Sequence, residues 1–241
     1  MNIALLGYGK MAKAVETIAL KRGHTIGLKL NSGAFNNLKI SDLISIDVAI
    51  DFSVADVAPR LITRCFEQQI PVVSGTTGWL DQLADIENLC LKHKSAFIYA
   101  SNFSLGVQLF FELNSKLAKL MSNYPEYQAQ LKDIHHIHKL DAPSGTAISL
   151  AEGLIEQHTG YSDWILGKPT QDHQLEIEAE RIGEETGYHH INYQSDFDSI
   201  QIRHQAKNRS GFALGAVIAA EWIVGKQGVF SMRNVLFSKE F

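Results

Sequence analysis

The densest run of reactive side chains is His135-His136-Ile137-His138-Lys139-Leu140-Asp141-Ala142-Pro143-Ser144-Gly145-Thr146-Ala147. Three imidazoles and one ammonium within five residues can concentrate positive charge and move a proton near neutral pH. Gln128–His138 reads as a strand, which turns His135 and Ile137 to one face and His136 and His138 to the other. Imidazoles two apart on a strand can share a zinc ion. No Cys or carboxylate follows at ligand spacing, and Lys139 would oppose a cation, so no metal is expected. Pro143 ends the strand, Ser144 can cap a helix over Ser144–Gln157, and Gly145 permits close approach. Ser144, Gly145 and Thr146 thus offer a hydroxyl and backbone donors at a helix N-terminus, an anion site suited to a carboxylate. The plain alternative is an N-cap and nothing more.

A second chemistry lies at the N-terminus. Gly7-Tyr8-Gly9-Lys10-Met11-Ala12 follows an apolar run, Ile3–Leu6, and opens a helical stretch, Met11–Lys21. This is the GxGxxA form of the dinucleotide fingerprint, in which bare backbone and a helix N-terminus receive a pyrophosphate. Lys29-Leu30-Asn31-Ser32, at the end of the second strand, holds neither an acid to grip a ribose diol nor an Arg to grip a 2′-phosphate. Either NADH or NADPH fits there, with a modest NADPH preference expected through Asn31, Ser32 and a solvated Lys29 or Lys10. Asp51-Phe52-Ser53, Gly75-Thr76-Thr77-Gly78 and Ala100-Ser101-Asn102-Phe103 also lie where strands end, and are expected to line the same cleft.

The elements that position these residues fall into two groups. Apolar runs at Ile3–Leu6, Thr25–Leu30, Val48–Phe52, Pro71–Ser74 and Phe97–Ala100 alternate with helical spacing at Met11–Lys21, Val57–Glu67 and Leu80–His93. Strands alternating with helices predict a Rossmann-type parallel sheet, covered on both faces, in an α/β protein. Beyond Asn102 come a long helix (Phe103–Met121), the His-rich strand and its helix, and a polar stretch (Thr159–Gln174). Three strands follow (Leu175–Arg181, Tyr188–Gln194, Ser199–Gln205), predicting a second α+β domain with its own mixed sheet. The apolar stretch Gly211–Val224 is expected to return as a helix to the first domain, giving domains 1–106 with 210–241, and 107–209.

Composition agrees with these readings. Of 241 residues, 45% are hydrophobic and 20% charged, and the net charge is −4, a poor basis for general nucleic-acid binding. Cys65 and Cys90 stand in no CxxC or Cys/His cluster and read as reduced, buried thiols. No leader and no apolar run near the ~20 residues of a membrane span is visible, so a cytoplasmic protein is expected.

The run His135–Ala147 resembles that of the dihydrodipicolinate reductase family, which reduces 4-hydroxy-tetrahydrodipicolinate on the diaminopimelate route to lysine. The glycine loop, Asp51–Ser53, Gly75–Gly78, Ala100–Ser104, Arg181-Ile182-Gly183, Gly187-Tyr188-His189 and His204 through Arg209–Ala213 resemble the family in the same order. The resemblance implies that His135 and Lys139 are the proton-transfer pair and that His136, Gly145 and Thr146 contact substrate. Gly7–Met11, Gly75–Thr77 and Ala100–Phe103 would bind NADPH or NADH. It also implies a homotetramer built on the second domain's sheet. The acid that many members carry after the second strand is replaced by Asn31. Two other readings compete: a non-catalytic dinucleotide sensor, for which Lys139 would be superfluous, and a metal hydrolase using His136 and His138.

Overall fold

The computed structural model describes residues 1–237. In chain order the elements are β1 (Asn2–Leu6), α1 (Lys10–Lys21), β2 (Thr25–Leu30), β3 (Val48–Asp51), α2 (Ala58–Glu67), β4 (Val72–Ser74), α3 (Leu83–Lys92), β5 (Ala96–Tyr99) and α4 (Leu105–Met121). Then follow β6 (Gln128–His135), α5 (Gly145–Gln157), β7 (Asp163–Leu166), β8 (Gln174–Arg181), β9 (Tyr188–Gln194), β10 (Ser199–Gln205), α6 (Ser210–Ile223), β11 (Gly228–Phe230) and α7 (Met232–Phe237). They form two compact units: Met1–Leu105 with the chain from Arg209 onward, and Gly106–Asn208.

The first unit is a six-stranded parallel sheet in the order β11-β5-β4-β3-β1-β2. Its strands are apolar on both faces, as a sheet covered on both sides requires. Ile3, Leu5, Val48, Ile50 and Ile98 meet α1, α6 and α7, whereas Ala4, Leu6, Ala49, Val72 and Phe97 meet α2 and α3. The ladders place Leu30, Leu6, Asp51, Ser74 and Tyr99 side by side across neighbouring strands. The residues that come next, Asn31, Gly7, Phe52, Gly75 and Ala100, therefore all leave the sheet at one edge. Both cysteines are buried, and burial pushes their thiols up, Cys65 to about 12 and Cys90 to about 11.

α6 owes its fit to small residues. A methyl group at Gly215 would run into the Phe103 carbonyl oxygen, and that obstacle is backbone, which cannot swing away. Gly215→Ala is expected to destabilise the first unit by about 1–3 kcal/mol, read as a lowered Tm; an unchanged Tm would mean that the helix shifts at no cost.

The second unit is a five-stranded mixed sheet, β10-β9-β6-β8-β7, with β6, β8 and β7 parallel to one another and β9 antiparallel to both of its neighbours, β6 and β10. One face carries Leu131, Leu175, Ile177, Ile191 and Tyr193 against Phe110 and Ala118 of α4 and Leu150 and Leu154 of α5. Three sequence expectations change. The His-rich strand stops at His135 and not at His138, because its partners run out: β8 ends at Arg181 opposite His135, and β9 begins at Tyr188 opposite Ile134. The stretch 159–174 contains β7, a four-residue edge strand too short to show a period. β11 and α7, which had no counterpart in the sequence reading, extend the first unit beyond α6.

Candidate active site

The glycine loop is shaped by crowding at one end and by openness at the other. Gly7 has φ +87°, donates its N–H to the Leu30 carbonyl at 2.9 Å, and leaves no room for a side chain beside the Phe52–Ser53 backbone. Gly75 likewise yields to the Phe52 ring. Gly9 differs: it caps α1 in an extended conformation, is exposed, and apart from its chain neighbours has no atom of the described residues within 4 Å of where a side chain would begin. Nothing in the protein requires glycine there, whereas a phosphate lying on bare backbone does.

A cavity of ≈620 Å³ opens beside it, walled by Gly9, Lys10, Met11, Ser53, Thr76 and Thr77 among others. The Ser53 and Thr76 hydroxyls are buried on its wall beside the carboxylate of Asp51, which they help to hold down. Asp51, fully buried below them, accepts the Ser53 N–H at 3.0 Å and the Ser74 hydroxyl at 2.7 Å, and burial raises its carboxyl above the ordinary range. Bare backbone, a helix N-terminus and hydroxyls along one cavity suit a dinucleotide. Ala100–Phe103 does not wall this cavity. Phe103 is 1% exposed and packs edge-on against Phe52 at 6.2 Å, so its side chain is closed to a ligand. Asn102 accepts the Ser104 N–H through Oδ1 at 2.8 Å, and Ser101 is exposed. Asn31, exposed, opens a 3-10 turn over Ser32–Asn37. Lys29 is not simply solvated: it pairs with Glu16 at 2.6 Å, and the Tyr8 hydroxyl donates to the same carboxylate.

In the second unit the chemistry converges on a residue the sequence reading passed over. Asp133 lies two places before His135 on β6, on the same buried face, and is 0% exposed. Its carboxylate accepts the Ser144 N–H at 3.0 Å and the Ser144 hydroxyl at 2.8 Å. His135 Nδ1 stands 3.0 Å away, His189 Nε2 3.2 Å and an Arg181 nitrogen 3.5 Å. Burial works to raise this carboxyl, but the bonds from His135, His189 and Ser144 outweigh it and hold it far below the usual carboxylate range. The His135 and His189 rings meet edge to face at 5.2 Å, and Gly187 makes space, since a methyl group there would stand 3.2 Å from His135 Nε2. His204, stacked on His189 at 6.4 Å, has its basicity lowered by burial and by His189.

Lys139 joins this cluster through intermediaries. Its ammonium pairs with Asp141 at 2.8 Å, and the Asp141 carbonyl accepts from the same Arg181 that reaches Asp133. His136 and His138 sit in the turn after β6, with ring centres 6.0 Å apart; His138 is exposed beside Glu184 at 3.4 Å, and the His136 Nδ1 is buried without a partner among the described residues. Same-face strand geometry no longer relates these two histidines, which removes the basis for pairing them on a metal. The ligand atoms of Asp133, His135 and His189 do lie within 4.8 Å of one another. With Ser144 and Arg181 already on that carboxylate, however, the set is built as a charge network.

Ser144 caps α5 as expected, accepting the Ala147 N–H at 3.1 Å. Its hydroxyl proton goes to Asp133 and the side chain is buried. Gly145 and Thr146 form the first turn of α5, whose amides cannot be satisfied from within the helix. Arg181 and His189 lie too far along the chain from Asp133 for spacing to join them; only the resemblance stretches contained them. Asp133 was findable, because position i−2 on a strand shares a face with its histidine.

A parallel sheet with a glycine-loop cavity at its strand ends, in a chain that also carries a buried cluster of Asp133, His135 and His189, defines a nicotinamide-dependent oxidoreductase. Residues 1–103 match the family description "Dihydrodipicolinate reductase, N-terminus" and residues 106–236 match "Dihydrodipicolinate reductase, C-terminus". The chain is 51% identical over 236 residues to a 4-hydroxy-tetrahydrodipicolinate reductase of Christiangramia forsetii, covering 98% of each. It is 35% identical to one of Methanopyrus kandleri, over 79% of this chain and 71% of the relative. The fold is similar to that of a dipicolinate-bound dihydrodipicolinate reductase from Paenisporosarcina sp. TG-14, with TM-score 0.78 and 21% identity over 98% of this chain and 99% of that one. The chain belongs to the dihydrodipicolinate reductase family.

Proposed function

We propose that this protein reduces 4-hydroxy-tetrahydrodipicolinate to tetrahydrodipicolinate with NADH or NADPH and loss of water, a step toward diaminopimelate and lysine. The observation that carries the reading is the continuous set of contacts from Lys139 through Asp141, Arg181 and Asp133 to His135, in a chain of this family. A bound reduced nicotinamide supplies a hydride to ring C4, where the hydroxyl has left as water. Gly7–Met11, Gly75–Thr77 and Ala100–Phe103 would hold the cofactor. His135 or Lys139 supplies one proton to C3, which becomes electron-rich once C4 has gained the hydride. Asp133 fixes the imidazole of His135, through Nδ1, and Ser144 fixes Asp133. Gly145 and Thr146, with His136, receive a ring carboxylate at the positive end of α5.

The first unit is thus the dinucleotide-binding domain, and the second is the substrate-binding and oligomerisation domain of a cytoplasmic homotetramer. The open face of the second sheet supports the assembly. There Lys132 bridges Glu178 and Glu180 at 3.3 and 2.5 Å, and the Asn192 Oδ1 is buried without a partner among the described residues. No helix among the described residues is long and apolar enough to cross a membrane.

The test is oxidation of NADH and NADPH with freshly generated 4-hydroxy-tetrahydrodipicolinate. Oxidation that depends on this substrate supports the reading; none with either cofactor refutes it. Thr146→Val is expected to raise KM for the substrate about tenfold or more, since a charge-assisted hydrogen bond contributes roughly 1.5–3 kcal/mol. NADH affinity should change little. A fall in cofactor affinity instead would place Thr146 at the wrong ligand.

A further inference from the structure

Beside the glycine loop, three charged side chains gather around one aromatic ring. The Lys29 ammonium stands 5.2 Å from the centre of the Tyr8 ring and the Lys13 ammonium 5.8 Å. Glu16, in the second turn of α1, holds this group together: one carboxylate oxygen pairs with Lys29 at 2.6 Å and the other accepts the Tyr8 hydroxyl. The Glu16 side chain is 17% exposed and Lys29 44%. Lys29 lies two places before Asn31, so the two residues share a face at the end of β2. That strand end is where this class of sheet reads the adenosine ribose, by an acid for a diol or a cation for a 2′-phosphate.

No fold requirement accounts for the pair, because β2 is tied to β1 by its ladder and the Leu30 carbonyl is tied to Gly7. Its chemical effect is plain. The cation borne by the end of β2 is drawn back onto α1. The Lys29 pairing lowers the Glu16 carboxyl, so it is ionised at neutral pH.

We propose that Glu16 is a specificity-determining residue: by holding Lys29 against Tyr8 it withholds that cation from a ribose 2′-phosphate, and the enzyme takes NADH at least as well as NADPH. This is the reverse of the preference that the bare residues at Lys29–Ser32 suggest, and it rests on the cofactor reading above. Glu16→Gln keeps the shape and a bond to Tyr8 while releasing the charge of Lys29. Lys10 and Lys13 stay in place in every variant.

The experiment is calorimetric Kd measurement for NADH and NADPH on the intact protein, its Glu16→Gln and Lys29→Met variants and the double variant, with kcat/KM for both cofactors alongside. The parent should bind NADH as tightly as NADPH or more tightly. Glu16→Gln should move the NADPH-to-NADH affinity ratio about five- to tenfold toward NADPH, the range of one newly available charge-assisted contact. The double variant should return the ratio to that of the parent. A ratio in Glu16→Gln within twofold of the parent, a gain that survives Lys29→Met, or a parent that already favours NADPH tenfold overturns the proposal. A parent that binds neither nucleotide removes the cofactor reading itself, an outcome distinct from all three.

Discussion

Lys139→Ala is expected to lower kcat by about 10²- to 10⁴-fold, the usual contribution of a general acid, equivalent to about 2.7–5.5 kcal/mol of barrier. Its Kd for NADH should move far less, because Lys139 lies in the turn after β6 and not on the glycine loop. The side chain is held in place from both sides of its turn, since its ammonium meets Asp141 at 2.8 Å and Arg181 fixes the Asp141 carbonyl. Lys139→Arg separates the two things an ammonium can offer. Arginine keeps the charge yet does not release a proton in the physiological range. An Arg variant as impaired as Ala identifies Lys139 as a proton donor. One that regains most of the turnover makes it an electrostatic anchor for a substrate carboxylate and leaves proton transfer to His135.

Asp133→Asn should combine the largest loss of stability with a second loss of turnover. The carboxylate is wholly buried and serves Ser144, His135, His189 and Arg181 together. Removing its charge leaves cationic and polar partners buried without compensation, which costs about 3–5 kcal/mol in comparable networks. The pH dependence has a definite sign. Because its bonds hold the folded carboxyl below the unfolded value of about 3.9, Asp133 contributes stability that is fully present above that value and declines as pH falls from it toward the folded value. Urea midpoints measured from about pH 7 down to about pH 3 should therefore fall less steeply in Asp133→Asn than in the parent. Parallel acid limbs would show that Asp133 is not the linked group. Turnover should fall as well, since His135 loses the carboxylate that stands 3.0 Å from its Nδ1.

Much of this architecture is local and was legible for that reason. The strand–helix alternation of the first hundred residues, the glycine turn after β1 and the cap at Ser144 each follow from neighbours a few residues apart. The common edge of Gly7, Phe52, Gly75 and Ala100 follows from strand ends alone, because parallel strands in register deliver their loops to one side. What could not be read depends on partners far along the chain. Arg181 reaches Asp133 across 48 residues, and the end of β6 at His135 is set by where β8 stops and β9 starts, not by any residue of β6. Lys29 read as a solvated surface charge because Glu16, its partner, lies on a different element.

The most direct test of the account is to follow the hydrogen that is transferred. The protein is given nicotinamide cofactor deuterated at C4 together with freshly generated 4-hydroxy-tetrahydrodipicolinate in ordinary water, and the tetrahydrodipicolinate formed is analysed by NMR. The account predicts deuterium at ring C4 and solvent hydrogen at C3, with formation of that product slowed by at least about 10²-fold in Lys139→Ala. Cofactor left unconsumed, or product without deuterium at C4, would contradict it.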